Sequence, residues 1–479
     1  MDYLGARMKA PLFVDLDGTL IRSDMLLESI LALVKQNCWY IFLLPLWLLR
    51  GKAYFKARIA ALVDVAVDLL PYNEAFLEFL KTENRAGREL VLATATNTKF
   101  AVEISDYLGI FSSVICSDNE VNLSGKRKLN AILKLGHSEF SYAGNANIDL
   151  EILKHAASGV IVEPDRRFER NAPKVTIIER VFKGKKTTIK SFIKAIRIHQ
   201  WVKNLLIFVP LILAHLWTSE KAIVDSVIGF FVFGLAASSV YLLNDMLDLD
   251  SDRNHPIKKR RPFASGQLSL VFGFRALVIL LVLSLSITLL ILPVNFLYVL
   301  VFYLFLTLAY SVKLKSYVLI DVITLAILYT VRVIAGVALI DVVPSFWLLA
   351  FSMFMFLSLA LVKRCSELYT IKSIGREAVD GRDYNVADLM FLQTMGIASG
   401  FLSVLVIALF IDSSDVLLNY QRHEILWLIC PAVLYWISRI WIKTTRGQMD
   451  DDPIVYSIRD KGSQIIAFLV ALIIFGAAY

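Results

Sequence analysis

From residue 201 onward the chain is a series of long apolar runs, and that feature limits what it can fold into. Nine segments stand out, at about 202–217, 223–245, 268–290, 292–312, 317–340, 345–363, 387–411, 424–442 and 463–479. Most have the ~20 residues a helix needs to cross a bilayer. Runs apolar on every side must be buried in lipid or protein, and in lipid an open chain satisfies its backbone only as a helix. Loop charge orients them. With residues 1–200 placed in the cytoplasm, the loops on that side hold sixteen Lys and Arg, against Lys221 and Arg422 on the other. That asymmetry predicts nine spans, N-terminus inside and C-terminus outside.

Composition agrees. Of 479 residues, 57% are hydrophobic and 19% charged, whereas soluble domains are about a quarter charged. The excess lies in the second half; residues 1–200 mix charged and apolar residues as a soluble domain does. The net charge of +8 sits in the cytoplasmic loops, which argues against a nucleic-acid partner. Cys38, Cys116, Cys365 and Cys430 are scattered, with neither a disulfide pattern nor zinc spacing. Met1–Ala10 has no apolar core, so no signal peptide is expected.

The same loops carry acids, which topology does not require. In Asn244-Asp-Met-Leu-Asp-Leu-Asp-Ser-Asp252, at the end of the second apolar segment, Asp245, Asp248 and Asp252 are spaced by three and four. On one helix they share a face and repel unless a cation lies among them. Mg²⁺ commonly binds one or two carboxylates and completes its shell with water and phosphate. A diphosphate ester is the natural partner, with Arg260 and Arg261 nearby for the remaining charge. Arg332 lies inside an apolar segment, and an intramembrane charge marks a functional site by default.

This Asn-Asp-x-x-Asp-x-x-x-Asp pattern resembles the UbiA superfamily of membrane prenyltransferases, over about residues 195–479. Further stretches are similar to its decaprenyl-phosphate phosphoribosyltransferase branch. They are Arg197 to Lys203-Asn204, Tyr310 to Lys315 with Asp321, Arg332 to Gly336, Lys363-Arg364-Cys-Ser-Glu367, Gly381-Arg382-Asp-Tyr384 and Asp452-Pro453 with Asp460. The resemblance implies Mg²⁺ held by Asp245, Asp248 and Asp252. It implies phosphoribosyl pyrophosphate as donor and a polyprenyl phosphate as acceptor. Lys203, Asn204, Asn244, Arg260, Arg261, Lys313, Asp321, Arg332, Lys363, Arg364, Glu367, Arg382 and Tyr384 would bind the substrates. Ordinary prenyltransferases carry a second DxxxD motif where this chain has Asp321 alone. A phosphate nucleophile is already ionised and needs no general base, which agrees with a sequence in which His199, His215, His255 and His423 form no pair with a nucleophile.

In the first half, Pro11-Leu-Phe-Val-Asp15-Leu-Asp17-Gly-Thr-Leu20 reads as a buried strand ending in an acidic turn. Strands ending at Thr94 and at Gly144-Asn145-Ala-Asn-Ile-Asp149 follow, with Lys126 and Lys128 between them. This order resembles haloacid-dehalogenase phosphatases, which implies an α/β Rossmann-like domain over 1–180 with a helical cap at about 24–85. It implies Asp15 as nucleophile, Asp17 as acid, Thr94 and a lysine (Lys128, with Lys126 the rival) on the phosphate, and Mg²⁺ at Asp15, Asp17 and Asp149. Asn145 stands where the family has an acid. Within the cap, Trp39–Leu49 is very apolar but too short to span; it either docks on the bilayer or forms cap core. Lys183-Gly-Lys185-Lys186 belongs to a basic linker, 181–196, before an all-α membrane domain over 197–479.

The expected whole is a bifunctional membrane enzyme, with a second copy of itself an admissible partner. The alternatives are an aromatic prenyltransferase using a polyprenyl diphosphate and a non-enzymatic transporter. The lone Asp321 and the many cations count against the first. The absence of an internal repeat counts against the second.

Overall fold

The computed structural model describes residues 9–478 except 138, 185–188, 256, 379–381, 414, 415, 417–419 and 451. Lys185, Lys186 and Gly381 lie outside the described residues. The chain forms two compact units, residues 1–196 with 241–276, and residues 197–240 with 277–479.

The first unit is built on a six-stranded sheet of order β3-β2-β1-β4-β5-β6. The strands are β1 (Leu12–Val14), β2 (Leu90–Asn97), β3 (Ser113–Ser117), β4 (Ser141–Gly144), β5 (Ser158–Val162) and β6 (Ile177–Phe182). Every pairing is parallel. Strands covered on both faces read as continuous apolar runs. In β1, Leu12 and Val14 enter one core and Phe13 the other, as a two-residue repeat dictates. The strand order reverses between β1 and β4, so their carboxyl ends open a crevice. Between β1 and β2 the chain inserts helices Met25–Gln36, Leu44–Leu49 and Lys52–Ala60 with a 3₁₀ turn at Cys38–Phe42. Helix Glu74–Arg85 returns to the sheet, where Phe76 meets Phe182 edge to face.

A polar network closes the opposite end of the sheet. Arg88 Nη1 lies 2.9 Å from both Glu83 and Glu179, and Nη2 donates to Ser141 Oγ at 2.7 Å. Burial alone would raise the Glu179 carboxyl. Its hydrogen bonds to Arg88, Ser158 and Ser141 outweigh that and bring it down to about 2. A depressed folded-state value stabilises above the ordinary value of 4.5 and is lost as pH falls toward about 2. Pulse proteolysis in urea is therefore expected to show stability falling across that acid window, and Arg88→Met to flatten the fall.

The second unit is helical. Among the described residues, eight helices are long and apolar enough to cross a membrane. They are Glu220–Leu247, Leu270–Ile291, Val294–Val312, Ile320–Ile340, Phe346–Ser373, Val386–Ile411, His423–Thr445 and Lys461–Ala478. The pair Ile189–Ala195 and Ile198–Leu213 makes a ninth if counted as one span. It is interrupted at Arg197, whose φ is 52°. The first expected segment is thus a 3₁₀ stretch, Ile198–Phe208, followed by a short helix. The expected loop from 363 also differs, because its helix runs on to Ser373. Lys363, Arg364 and Glu367 therefore sit within a helix whose charged turn is held by buried partners.

Candidate active sites

Asp15 leaves the end of β1 beside β4, its N–H on the Ala143 carbonyl at 3.0 Å. Lys128, buried in helix Lys126–Lys134, places Nζ 2.7 Å from Asp15 Oδ1 and 3.1 Å from the Tyr142 hydroxyl. Lys126, at the start of that helix, is exposed. The Tyr142 hydroxyl donates to Asp149 Oδ1 at 3.0 Å; Asp149 Oδ2 accepts the N–H groups of Asn145 and Ala146 at 3.1 Å. Gly144 is required here, since a Cβ would stand 2.7 Å from that oxygen. Asp17 accepts from the Met25 N–H at 2.8 Å and the Thr96 hydroxyl at 2.9 Å. Thr94 is buried, its hydroxyl accepting the Thr96 N–H at 3.0 Å.

Burial, then the charges of Asp24 and Asp15, push Asp17 up to about 7 against the hydrogen bonds from Met25 and Thr96. A carboxyl poised there can hold and release a proton near neutral pH. Burial and Asp15 likewise lift Asp149 to about 6. The sequence reading missed Tyr142, Thr96 and Lys56. Thr96 follows Thr94 by two, the spacing that puts both on one side of a strand. Lys56 comes from the insertion and donates to the Ala95 carbonyl at 2.6 Å and to Asn122 Oδ1 at 3.0 Å. No motif spacing could have announced it.

The acidic segment belongs to the same unit. Helix Glu220–Leu247 ends just before Asp248, and helix Leu249–Asn254 follows it. The three acids therefore do not lie along one continuous helix. Asp245 and Asp252 are buried and converge on Arg261, whose Nη1 lies 3.3 Å from the first and 2.7 Å from the second. Asp248 Oδ1 lies 3.7 Å from Lys35 Nζ, at the end of helix Met25–Gln36. Arg253 reaches the same helix, its guanidinium on Glu28 at 2.6 and 3.1 Å, both side chains buried. Arg260 is exposed. Removing one partner of a buried pair strands the other charge, at a cost of about 3–5 kcal/mol. Arg253→Met is therefore expected to lower the melting temperature of this unit, and Arg253→Met with Glu28→Leu to recover most of it.

In the helical unit, two groups of charges are buried. Arg332 donates to Asn204 Oδ1 and the Tyr303 hydroxyl at 3.2 Å and to the Leu328 carbonyl at 2.5 Å. Its guanidinium lies 5.0 Å from the Tyr303 ring and 5.3 Å from the Phe233 ring. All these partners are neutral. Lys203 pairs with Asp452 and lies 5.6 Å from the Tyr329 ring. Gly336 permits this packing, because a Cβ there would meet the Ile207 carbonyl at 2.1 Å. The charges of Lys203 and Asp452 also bear on Lys363. In the second group Arg364 Nη2 stands 2.5 Å from Asp321 Oδ2, both fully buried, and the Tyr310 hydroxyl donates to Asp321 Oδ1 at 2.7 Å. Glu367 bridges Arg364 to Arg382, and the Tyr384 ring faces Arg364 at 5.2 Å. Lys313 is exposed at a helix end. Tyr303 and Tyr329 escaped the sequence reading, although Tyr329 precedes Arg332 by three on one helix.

The residues suit Mg²⁺ in both places by donor type. Asp245 and Asp252 already converge on one cationic group, and the Asn244 Oδ1 next in the chain is buried with no hydrogen-bond partner among the described residues. Among the described residues, no three His, Cys, Asp or Glu side chains form a metal-ready group. Asp15, Asp17 and Asp149 likewise offer only hard oxygen donors.

The chain matches the UbiA prenyltransferase family over residues 207–459 and haloacid dehalogenase-like hydrolases over residues 12–145. It is 35% identical over 467 residues to "Uncharacterized protein y4nM" of Sinorhizobium fredii, covering 97% of this chain and 90% of that protein. It is 30% identical to nodulation protein NoeC of Azorhizobium caulinodans, covering 59% of this chain and 92% of that one. It is 29% identical to decaprenyl-phosphate phosphoribosyltransferase of Mycolicibacterium smegmatis, covering 61% of this chain and 93% of that one.

Proposed function

Because the chain belongs to the UbiA prenyltransferase family, we propose that its membrane domain transfers 5-phosphoribose from phosphoribosyl pyrophosphate to a polyprenyl phosphate. Arg332 carries this reading. A guanidinium buried in an apolar span with only neutral hydrogen-bond partners among the described residues is arranged to receive a substrate anion. Lys203 and Lys363 add charge for the phosphates. This reaction brings three phosphate-bearing groups, whereas an aromatic prenyltransferase handles one diphosphate. The mycobacterial relative's name points the same way.

Asp245 and Asp248, with Asp252 on Arg261, would hold Mg²⁺, which would supply charge neutralisation for the leaving diphosphate. The ribose C1–O bond to pyrophosphate breaks, and a lipid phosphate oxygen forms the new bond to C1. The nucleophile is an anion already, so the protein contributes position and electrostatics rather than a base.

In the soluble domain Asp15 attacks a phosphate monoester and forms an aspartyl phosphate. Asp17 gives its proton to the leaving alcohol and then takes one from the water that hydrolyses the intermediate. Lys128 and Thr94 hold phosphate oxygens. We assign both activities to the cytoplasmic face of a bacterial inner membrane, where the 5-phosphate of the phosphoribosyl lipid becomes the substrate of the second.

The test is transfer of labelled phosphoribosyl pyrophosphate to polyprenyl phosphate by purified protein with Mg²⁺, beside Asp248→Ala. Label entering the organic phase, and lost in the variant, supports the assignment. Prenylation of 4-hydroxybenzoate from a prenyl diphosphate, without label transfer, overturns it.

A further inference from the structure

The apolar stretch of the insertion is not cap core. Tyr40, Leu44 and Trp47 turn inward onto the domain. Trp39, Phe42, Leu46 and Leu49 turn outward, 71, 67, 56 and 84% exposed, with Ile41 and Leu48 beside them. So large an apolar face on a water-facing domain marks an interaction surface. Its surroundings have one sign. From Ser29 to Val63 there is no Asp or Glu, while Lys35, Arg50, Lys52, Lys56 and Arg58 are all cationic. At Gly51, with φ 108°, the chain turns out of helix Leu44–Leu49 into helix Lys52–Ala60. There a cleft of about 490 Å³ opens, lined by Arg50, Lys52, Tyr54, Asn122 and Arg127, with Glu120 its acid. Asn122 also accepts from Lys56, whose ammonium feels the charge of Asp17. Lys56 also donates to the Ala95 carbonyl, between Thr94 and Thr96, which ties Asn122 on the cleft wall to the strand of the phosphatase residues.

We propose that Trp39–Leu49 inserts shallowly into an anionic bilayer, and that the basic cleft beside it receives the phosphate-bearing headgroup of a lipid. The occupant follows from charge and covalent connection. An apolar face whose own stretch of chain carries cations and no acid, beside a cleft where Arg50, Lys52 and Arg127 outnumber Glu120, complements anionic lipid, and the chain leaves this unit into membrane-spanning helices. The insertion thus selects lipid-borne phosphomonoesters over soluble ones. This deepens the phosphatase reading and rests on it only for the chemistry performed.

Cys38, exposed at the edge of the face, carries the probe. The full chain, with Cys116→Ser and Cys430→Ala and a fluorophore on Cys38, is reconstituted into phosphatidylglycerol-containing vesicles. Nitroxide on the lipid chains is expected to quench the probe and aqueous iodide to spare it, with weaker lipid quenching in phosphatidylcholine alone. Leu46→Glu with Leu48→Glu removes the lipid quenching. It slows hydrolysis of a vesicle-borne phosphomonoester by at least about tenfold and leaves p-nitrophenyl phosphate hydrolysis unchanged. Quenching by iodide alone overturns the proposal. Shielding from both quenchers also overturns it, and points to a second copy or another protein over the face. Failure of the unaltered chain to hydrolyse p-nitrophenyl phosphate overturns the phosphatase reading instead, while the quenching still decides the docking.

Discussion

Asp15→Asn is expected to remove phosphomonoesterase activity by on the order of a thousandfold or more, measured as phosphate released from p-nitrophenyl phosphate and from the phosphoribosyl lipid. The amide keeps the size of the carboxylate and can still accept from Lys128, which sits 2.7 Å away. What it loses is the anionic oxygen that attacks phosphorus. The domain should therefore stay folded, which separates this variant from Lys128→Met. The latter leaves Asp15 and Asp149 facing each other in a buried site and is expected to cost stability as well as rate. Label transfer to the lipid should persist in Asp15→Asn. If the unaltered protein releases no phosphate from that lipid and Asp15→Asn leaves the lipid product unchanged, the coupling of the two activities is lost.

Two arginines in the helical unit predict opposite outcomes. Arg332→Met is expected to lower phosphoribose transfer by at least about a hundredfold while the protein remains folded. Its partners are Asn204, Tyr303 and a backbone carbonyl, so no charge is stranded by its removal. Arg364→Met strands Asp321, which is fully buried and, among the described residues, holds only the Tyr310 hydroxyl in addition. A loss of about 3–5 kcal/mol, read as a lower melting temperature in detergent, should precede any kinetic effect. Equal destabilisation by both substitutions would argue that Arg332 is structural, and the phosphate-binding assignment would fall with it.

Much of this was readable in the chain. Runs ending in polar turns mark β1, β2 and β4, because a strand covered on both faces stays buried up to the end that meets solvent. Apolar runs of bilayer length mark the spans, because a lipid-exposed backbone has no other partner than itself. The residues proposed for phosphate chemistry at strand ends, Asp15, Thr94 and Asp149, could be picked out as candidates because parallel strands deliver their carboxyl ends to one crevice. The acidic segment was legible as a cluster but not as a geometry. Its spacing implied one helical face, and the break at Asp248 divided the acids between Arg261 and Lys35.

The sequence alone marked most of the segments that are long and apolar enough to cross a membrane, which half is an α/β domain, and which residue types could handle phosphate. These depend on composition and short-range periodicity, which one chain states completely. Only the tertiary structure decided partners. Glu28 and Arg253 are 225 residues apart, as Lys128 and Asp15 are 113, and no local pattern encodes such pairings. The same holds for Trp39–Leu49, equally apolar whether core or surface. Burial is a property of what packs against a residue, and only the assembled fold turned Tyr40, Leu44 and Trp47 inward and left the rest of the segment bare.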